Sequence, residues 1–154
     1  MDALLAALSE SGPAQAIRFS RWGYAAVNTA HVASLAILVG AILPLDLRLL
    51  GAWRSVPLEP LARVPVPVAA TGLGLALLTG LLLFSTRAPG YAGIDLFWVK
   101  LALIAAGSLH AIAVQAGPGL TALSDRSRRL SGGISLACWA GALVSGRFLA
   151  FVGD

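Results

Sequence analysis

The sequence predicts an all-α integral membrane protein, a bundle of four transmembrane helices, and three observations support this. Of the 154 residues, 58% are hydrophobic and only 12% are charged, and the mean hydropathy is +0.84. A soluble domain carries about 25% charged residues, so most of this chain requires lipid as its solvent. The apolar residues are gathered in four long stretches without strand-like alternation, which favours helices over a barrel.

The N-terminal segment, residues 1–21, is predicted to lie outside the transmembrane domain, residues 22–154. It has no basic start, and the polar run from Ser9 to Pro13 interrupts its short apolar stretch, so it does not resemble a cleaved signal peptide. Residues 2–9 are expected to form a short helix at the membrane interface.

Four apolar stretches follow, and each is close to the ~20 residues that cross ~30 Å of hydrocarbon. The predicted spans are residues 22–45, 64–86, 94–115 and 130–152. We expect Pro44 to disturb the end of the first span, because proline removes a backbone hydrogen bond.

The basic residues predict the orientation. Loops one and three together hold six arginines: Arg48, Arg54, Arg63, Arg126, Arg128 and Arg129. The positive-inside rule then places loops one and three in the cytoplasm and both termini on the periplasmic side of a bacterial cytoplasmic (inner) membrane. The formal net charge of +4 is read as this topology signal, so no nucleic-acid partner is predicted.

Titratable residues inside membrane helices are costly and are the first functional candidates. His31 lies within the first span, and helical spacing places Tyr24 and Asn28 on the same face. Neutral imidazole can ligate haem iron or another metal and can carry a proton. The alternative is a structural histidine that forms a hydrogen bond across helices.

Two cations are expected at the same depth as His31. Arg147 lies near the outer end of the fourth span and Lys100 near the outer end of the third. Such a cluster suits an anion: a haem propionate, a lipid phosphate or a carboxylate. The alternative is that both side chains extend to the headgroups.

His110 lies toward the cytoplasmic side of the third span, near the expected levels of Cys138 and Asp46. These three could form a metal site, although a lone buried cysteine usually packs as a small hydrophobe. One haem between His31 and His110 is disfavoured, because their depths differ by about 12 Å at 1.5 Å per residue.

Asp46 and Arg48 are predicted to stabilise the fold as ion-pair residues. They are two positions apart and do not share a helical face. Asp46 is therefore expected to pair with a basic group on a neighbouring helix or loop.

Four stretches combine apolar residues with a few polar ones: HVASLAILVGAILPLDLRLLG at 31–51, TGLLLF at 79–84, FWVKLAL at 97–103 and WAGALVSGRFLAF at 139–151. Together they resemble a family of small, uncharacterised bacterial four-helix membrane proteins. More distantly, the layout is similar to the copper-resistance D family and to membrane b-type cytochromes, which implies metal or haem handling. Met1 is the only methionine, so the thioether ligands of a copper(I) path are missing.

Three function hypotheses follow. The first is a small redox or sensing module that binds haem b through His31, with Arg147, Asn28, Tyr24, Lys100 and His110 as further candidate residues. The second is a small transporter or transporter subunit, and the third is a non-catalytic accessory subunit of a larger membrane complex. The chain carries no recognised catalytic motif, so an enzyme is not the expected function. The expected partners are the lipid bilayer and either a second copy of the chain or a larger complex.

Overall fold

The computed structural model describes residues 2–117, 119–120 and 122–152, and these residues form helices joined by short connections. In chain order the helices are α1 (Asp2–Ser9), α2 (Gly12–Phe19), α3 (Arg21–Leu50), α4 (Leu58–Arg63), α5 (Pro65–Thr86), α6 (Ala88–Ala92), α7 (Asp95–Ala116) and α8 (Asp125–Val152). The described residues contain no β-strand.

Four apolar segments are long enough to cross a membrane: Arg21–Leu50, Leu58–Thr86, Asp95–Ala116 and Asp125–Val152. Large apolar side chains such as Leu78, Ile112 and Phe148 are exposed on their outer faces. That pattern is expected where lipid rather than water surrounds the helices. The predicted fold class, all-α with four membrane-length helices, is confirmed.

Helix α3 continues through Pro44, which corrects the expectation that the helix is disturbed there. A proline inside a membrane helix is tolerated because neighbouring groups satisfy the freed carbonyl. The helix ends instead at Gly51, whose φ of +115° is a left-handed conformation suited to glycine. Asp46 and Arg48 therefore belong to the helix rather than to the loop after it.

The four long helices pack in the order α5, α3, α8, α7, and the described backbones of α5 and α7 do not approach one another. Glycines lie in each interface between neighbouring long helices, and we call these interfaces seams. A Cβ on Gly72 of α5 would lie 2.7 Å from the backbone nitrogen of Leu38, and one on Gly132 of α8 would lie 2.9 Å from the Asp46 carbonyl oxygen. Between α7 and α8, a Cβ on Gly107 would lie 3.2 Å from the Cys138 Cβ and from the Trp139 ring. Small residues allow such close approach of membrane helices.

These seams fix which residues share a level. Gly132 of α8 faces Asp46 of α3. As many residues separate His31 from Asp46 on α3 as separate Arg147 from Gly132 on α8. Because α3 and α8 are antiparallel, His31 and Arg147 lie at the same level of the bundle. Lys100 lies against Gly146 and joins them. We call this set the His31 layer.

Helices α1 and α2 pack on the end of the bundle where α3 begins. Helix α2 packs on α3 and α5, and α1 packs on α5 and α6. Ala14 and Ala88 are fully buried there, and the Ser9 hydroxyl accepts a 3.2 Å hydrogen bond from the Ala88 amide. The helix expected at residues 2–9 is present, and its position at the membrane interface stays a prediction.

Candidate functional site

Asp46 is the most deeply buried large side chain in the described chain, with 1% of its surface exposed. It points from α3 toward α8, where the Ser135 hydroxyl is its hydrogen-bonding neighbour. Its Oδ2 oxygen has no hydrogen-bond partner among the described residues. A carboxyl group buried in this way has lost its hydrogen bonds to water, and hydrogen bonds to the described residues replace them only in part.

The structure does not form the predicted ion pair of Asp46 within the described residues, where the ion pairs are Arg63–Glu59 and Arg128–Asp125. The unbroken helix separates the two residues: Asp46 faces α8, while Arg48 turns to the following loop. There the Arg48 Nε donates to the Val56 carbonyl at 2.8 Å and Nη2 donates to the Arg54 carbonyl at 3.0 Å. Arg48 therefore closes the loop, and no ion pair to Asp46 is formed by the described residues.

His110 of α7 contacts the same face of α8. Its Nε2 lies 3.0 Å from the Ser131 hydroxyl and 3.2 Å from the Ser131 carbonyl oxygen. A carbonyl oxygen only accepts, so Nε2 carries the hydrogen and donates it. Ser131 and Ser135 are one helical turn apart and share this face. Asp46, Ser135, Ser131 and His110 thus form a polar set across three helices, which we call the Asp46 layer.

Cys138 does not join the Asp46 layer. Its side chain is buried, and its Cβ lies 3.2 Å from the position that a Cβ on Gly107 would take. Among the described residues, no three His, Cys, Asp or Glu side chains are placed to hold a metal ion. The metal site considered for His110, Cys138 and Asp46 is therefore not formed, because Cys138 packs in the α7–α8 seam.

His31 forms a hydrogen bond across helices, with its Nδ1 lying 2.9 Å from the Thr79 hydroxyl of α5. The Thr79 hydroxyl donates its own hydrogen to the Leu75 carbonyl at 2.7 Å, so it accepts from the histidine. In neutral imidazole this leaves Nε2 with the lone pair. Gly80 makes room for the ring, since a Cβ there would lie 3.1 Å from Cε1 of His31.

The other residues predicted around His31 divide into two groups. Lys100 lies in electrostatic range of the His31 ring. Arg147 is exposed, and its guanidinium lies 5.0 Å from the centre of the Phe151 ring. Tyr24 and Asn28 are also exposed, and the electrostatic neighbour of Tyr24 is Tyr91. The structure therefore brings Lys100 to His31, but not Arg147, Tyr24 or Asn28.

The two histidines belong to different levels. His31 shares its level with Lys100, and His110 lies about 15 Å further along α7 at 1.5 Å per residue. Both axial ligands of one haem iron lie at nearly the same depth, so His31 and His110 cannot serve one haem within this bundle.

Sequence reasoning missed two features. One is the contact of His110 with Ser131 and of Asp46 with Ser135. The two serines lie four residues apart on α8, and this spacing is the sequence signal from which a shared polar face could have been predicted. The other is an aromatic cluster where the α5 and α7 backbones diverge. Phe84 and Phe97 stack at 5.0 Å between ring centres, and Tyr91 lies within about 6.3 Å of both. Burial raises the pKa of the Tyr91 hydroxyl.

No protein-family model, curated protein or solved structure matches this chain. The resemblances read in the sequence therefore stay predictions. The length and composition of the helices identify a multi-pass membrane protein with four apolar helices of membrane-spanning length.

Proposed function

We propose that the chain is a small proton-coupled transporter, or the proton-binding subunit of one, in which Asp46 takes up and releases the proton. The observation that carries the proposal is the buried, unpartnered Oδ2 of Asp46. Buried charges without partners are expensive, and ionisable groups inside membrane proteins mark ion and proton pathways. Proton uptake removes the negative charge of such a carboxyl group and so lowers the cost of burying it.

The rest of the Asp46 layer suits proton movement to and from Asp46. Serine hydroxyls both donate and accept hydrogen bonds, and a histidine ring can exchange a proton through either nitrogen. The Cβ atoms of residues one turn apart, such as Ser131 and Ser135, are separated by about 5–6 Å. A single water molecule can bridge hydroxyls at this spacing. His110 would then be the α7 end of the route.

A pH jump applied to the reconstituted protein on a solid-supported membrane tests this without knowledge of the solute. We expect a transient charge displacement from the wild-type protein, because proton binding moves charge into the bundle. Asp46→Asn should lose the signal and still fold, since no ion pair is removed. The matched control is Asp95→Asn, which alters an exposed carboxylate at the start of α7 and should keep the signal. A wild-type protein without displacement, or an unchanged Asp46→Asn signal, would contradict the proposal.

A second candidate is a haem-binding redox module, favoured by the orientation of His31. A metal-ligating histidine usually donates the N–H of its second ring nitrogen to a hydrogen-bond acceptor. The hydrogen bond from Nδ1 of His31 to the Thr79 hydroxyl provides that arrangement. Nε2 of His31 would hold the iron, and any second protein ligand would come from outside this bundle, because His110 lies at another level.

The visible absorption spectrum of the protein in mild detergent, oxidised and then reduced, tests the haem candidate. We expect a Soret band that shifts on reduction, disappears in His31→Ala and persists in His110→Ala. Colourless protein after expression with ample haem would exclude this function. If charge displacement is also absent, the accessory-subunit hypothesis remains, and partner pull-down becomes the next measurement.

A further inference from the structure

The Lys100 side chain reaches the backbone of α8 at Gly146. Its Cε and Nζ lie 3.3 and 3.4 Å from the position that a Cβ on Gly146 would take. Gly141, five residues earlier on α8, faces Leu103, three residues later on α7, so Gly146 lies about two residues nearer the start of α7 than Lys100 does. The ammonium of Lys100 therefore lies against the α8 backbone at Gly146, six residues before Val152 at the end of that helix.

No acidic partner meets this ammonium in the described chain. Neither described ion pair includes Lys100. Asp46 lies in the other layer, and Asp95 is exposed at the start of α7. His31, the titratable neighbour from α3, donates its Nδ1 hydrogen to Thr79 and offers only a lone pair at Nε2. An ammonium held away from water needs an anion, and the described residues supply none beside Lys100.

We propose that Lys100, with His31 and the bare backbone at Gly146, forms a binding site for a small oxyanion that keeps a proton, such as hydrogenphosphate. The ammonium offers three hydrogen-bond donors to the anionic oxygens. The His31 Nε2 lone pair accepts from the protonated oxygen. Gly146 keeps the space beside Nζ free of a side chain.

This site names the substrate class of the proposed transporter. Its role in transport rests on the proposed function, whereas binding itself does not. Phosphate chemistry has two sources, a free solute and a lipid headgroup, and the test separates them.

The test is thermal unfolding of the full chain in lipid-free detergent during titration with sodium phosphate, compared with sodium chloride at matched ionic strength. We expect a saturable rise in Tm with phosphate, because a ligand that binds only the folded state stabilises it. Lys100→Met should abolish the rise. Without phosphate it should melt at a higher temperature than wild type, because the unpaired ammonium is gone. Lys100→Gln provides a second variant should the methionine variant fail to fold.

Arg147→Met is the matched control, because it removes the other cation of the His31 layer and should keep the phosphate-dependent rise. An equal rise in wild type and Lys100→Met, or no rise with phosphate or lipid, overturns the site. A Lys100-dependent rise seen only in nanodiscs containing phosphatidylglycerol, and not in phosphatidylcholine alone, assigns the anion to a lipid headgroup. Asp46→Asn should keep the phosphate response, so loss of proton-coupled charge displacement would count against the transporter alone.

Discussion

Lys100 and Arg147 both belong to the His31 layer, yet their cationic groups have different neighbours. Gly146 leaves open space beside α7, and the Lys100 amine occupies it. Arg147 has Phe151 one turn ahead on its own helix, and its guanidinium lies over that ring. A cation over an aromatic face gains about 0.5–1 kcal/mol at an exposed site. The immediate neighbours of each side chain, rather than depth alone, therefore decide where its cationic group lies.

Tyr91 gives a prediction about alkaline stability. Burial raises its pKa above the ordinary value of 10.0, with the negative charge that Tyr24 can acquire adding to this and Arg87 opposing it. The unfolded chain therefore releases the Tyr91 proton first, and stability falls as the pH rises above about 10. Tyr91→Phe should remove this component of the fall.

The measurement is Tm in detergent from neutral pH to above about pH 10. The curves of Tm against pH for wild type and Tyr91→Phe should run parallel near neutral pH. They should diverge in the alkaline range, where the variant should lose less stability than wild type. Curves that stay parallel throughout would show that Tyr91 does not titrate differently in the folded protein.

At the scale of helices, glycines at the seams set the distance between backbones. Gly72 and Gly132 face backbone atoms of α3, whereas Gly74 has open space where its Cβ would be and Gly133 would make only an ordinary contact, at 3.9 Å from Leu50 Cδ2. The α3–α5 and α3–α8 seams thus each have one glycine required by close packing and one nearby that is not.

The α3–α5 seam gives a paired prediction. Gly72→Ala would place Cβ 2.7 Å from the Leu38 nitrogen, a backbone atom that cannot rotate away, and should destabilise the protein by about 1–3 kcal/mol. Gly74→Ala should be neutral or slightly stabilising, because alanine is the better helix former. Equal melting temperatures of the two variants would contradict the packing of this seam.

The α3–α8 seam gives a second pair, with consequences for Asp46. In Gly132→Ala the new methyl would lie 2.7 Å from Leu49 Cβ and 2.9 Å from the Asp46 carbonyl, which forces the helices apart at the Asp46 layer. Reduced Tm and an altered pH-jump response are expected. Gly133→Ala is the control and should match wild type in both. A Gly132→Ala protein with normal Tm and normal response would show that the close approach is not required.

The helices and their order along the chain could be read from apolar length, but their ends could not. The first and fourth apolar stretches predict spans of 22–45 and 130–152, whereas α3 runs to Leu50 and α8 begins at Asp125. A helix ends where its backbone is capped, as at Gly51, and not where its side chains become polar. Counting residues also placed His31 and Lys100 at one depth. The rotation of each helix depends on its neighbours, so the isolation of Asp46 and the contact of His110 with Ser131 were not predictable.

At the scale of the whole molecule, the orientation across the membrane can be tested with the single native cysteine removed. Cys138 is buried, and Cys138→Ser provides the background. Ser55 in loop one and Gly90 between α5 and α7 are both exposed. With a membrane-impermeant maleimide on intact spheroplasts, Gly90→Cys should label and Ser55→Cys should not, because the positive-inside rule places loop one in the cytoplasm. The reverse labelling pattern would invert the topology.

The helix order also has a consequence for biogenesis. Helices α3 and α5, and likewise α7 and α8, are successive partners and can enter the bilayer as hairpins, whereas the α3–α8 seam joins the first long helix to the last. Because α8 supplies Ser135 and the backbone that covers Asp46, this carboxyl stays uncovered in the nascent chain until α8 has been inserted. A chain in which α8 is missing or misinserted would display an acidic group to the lipid, which is costly.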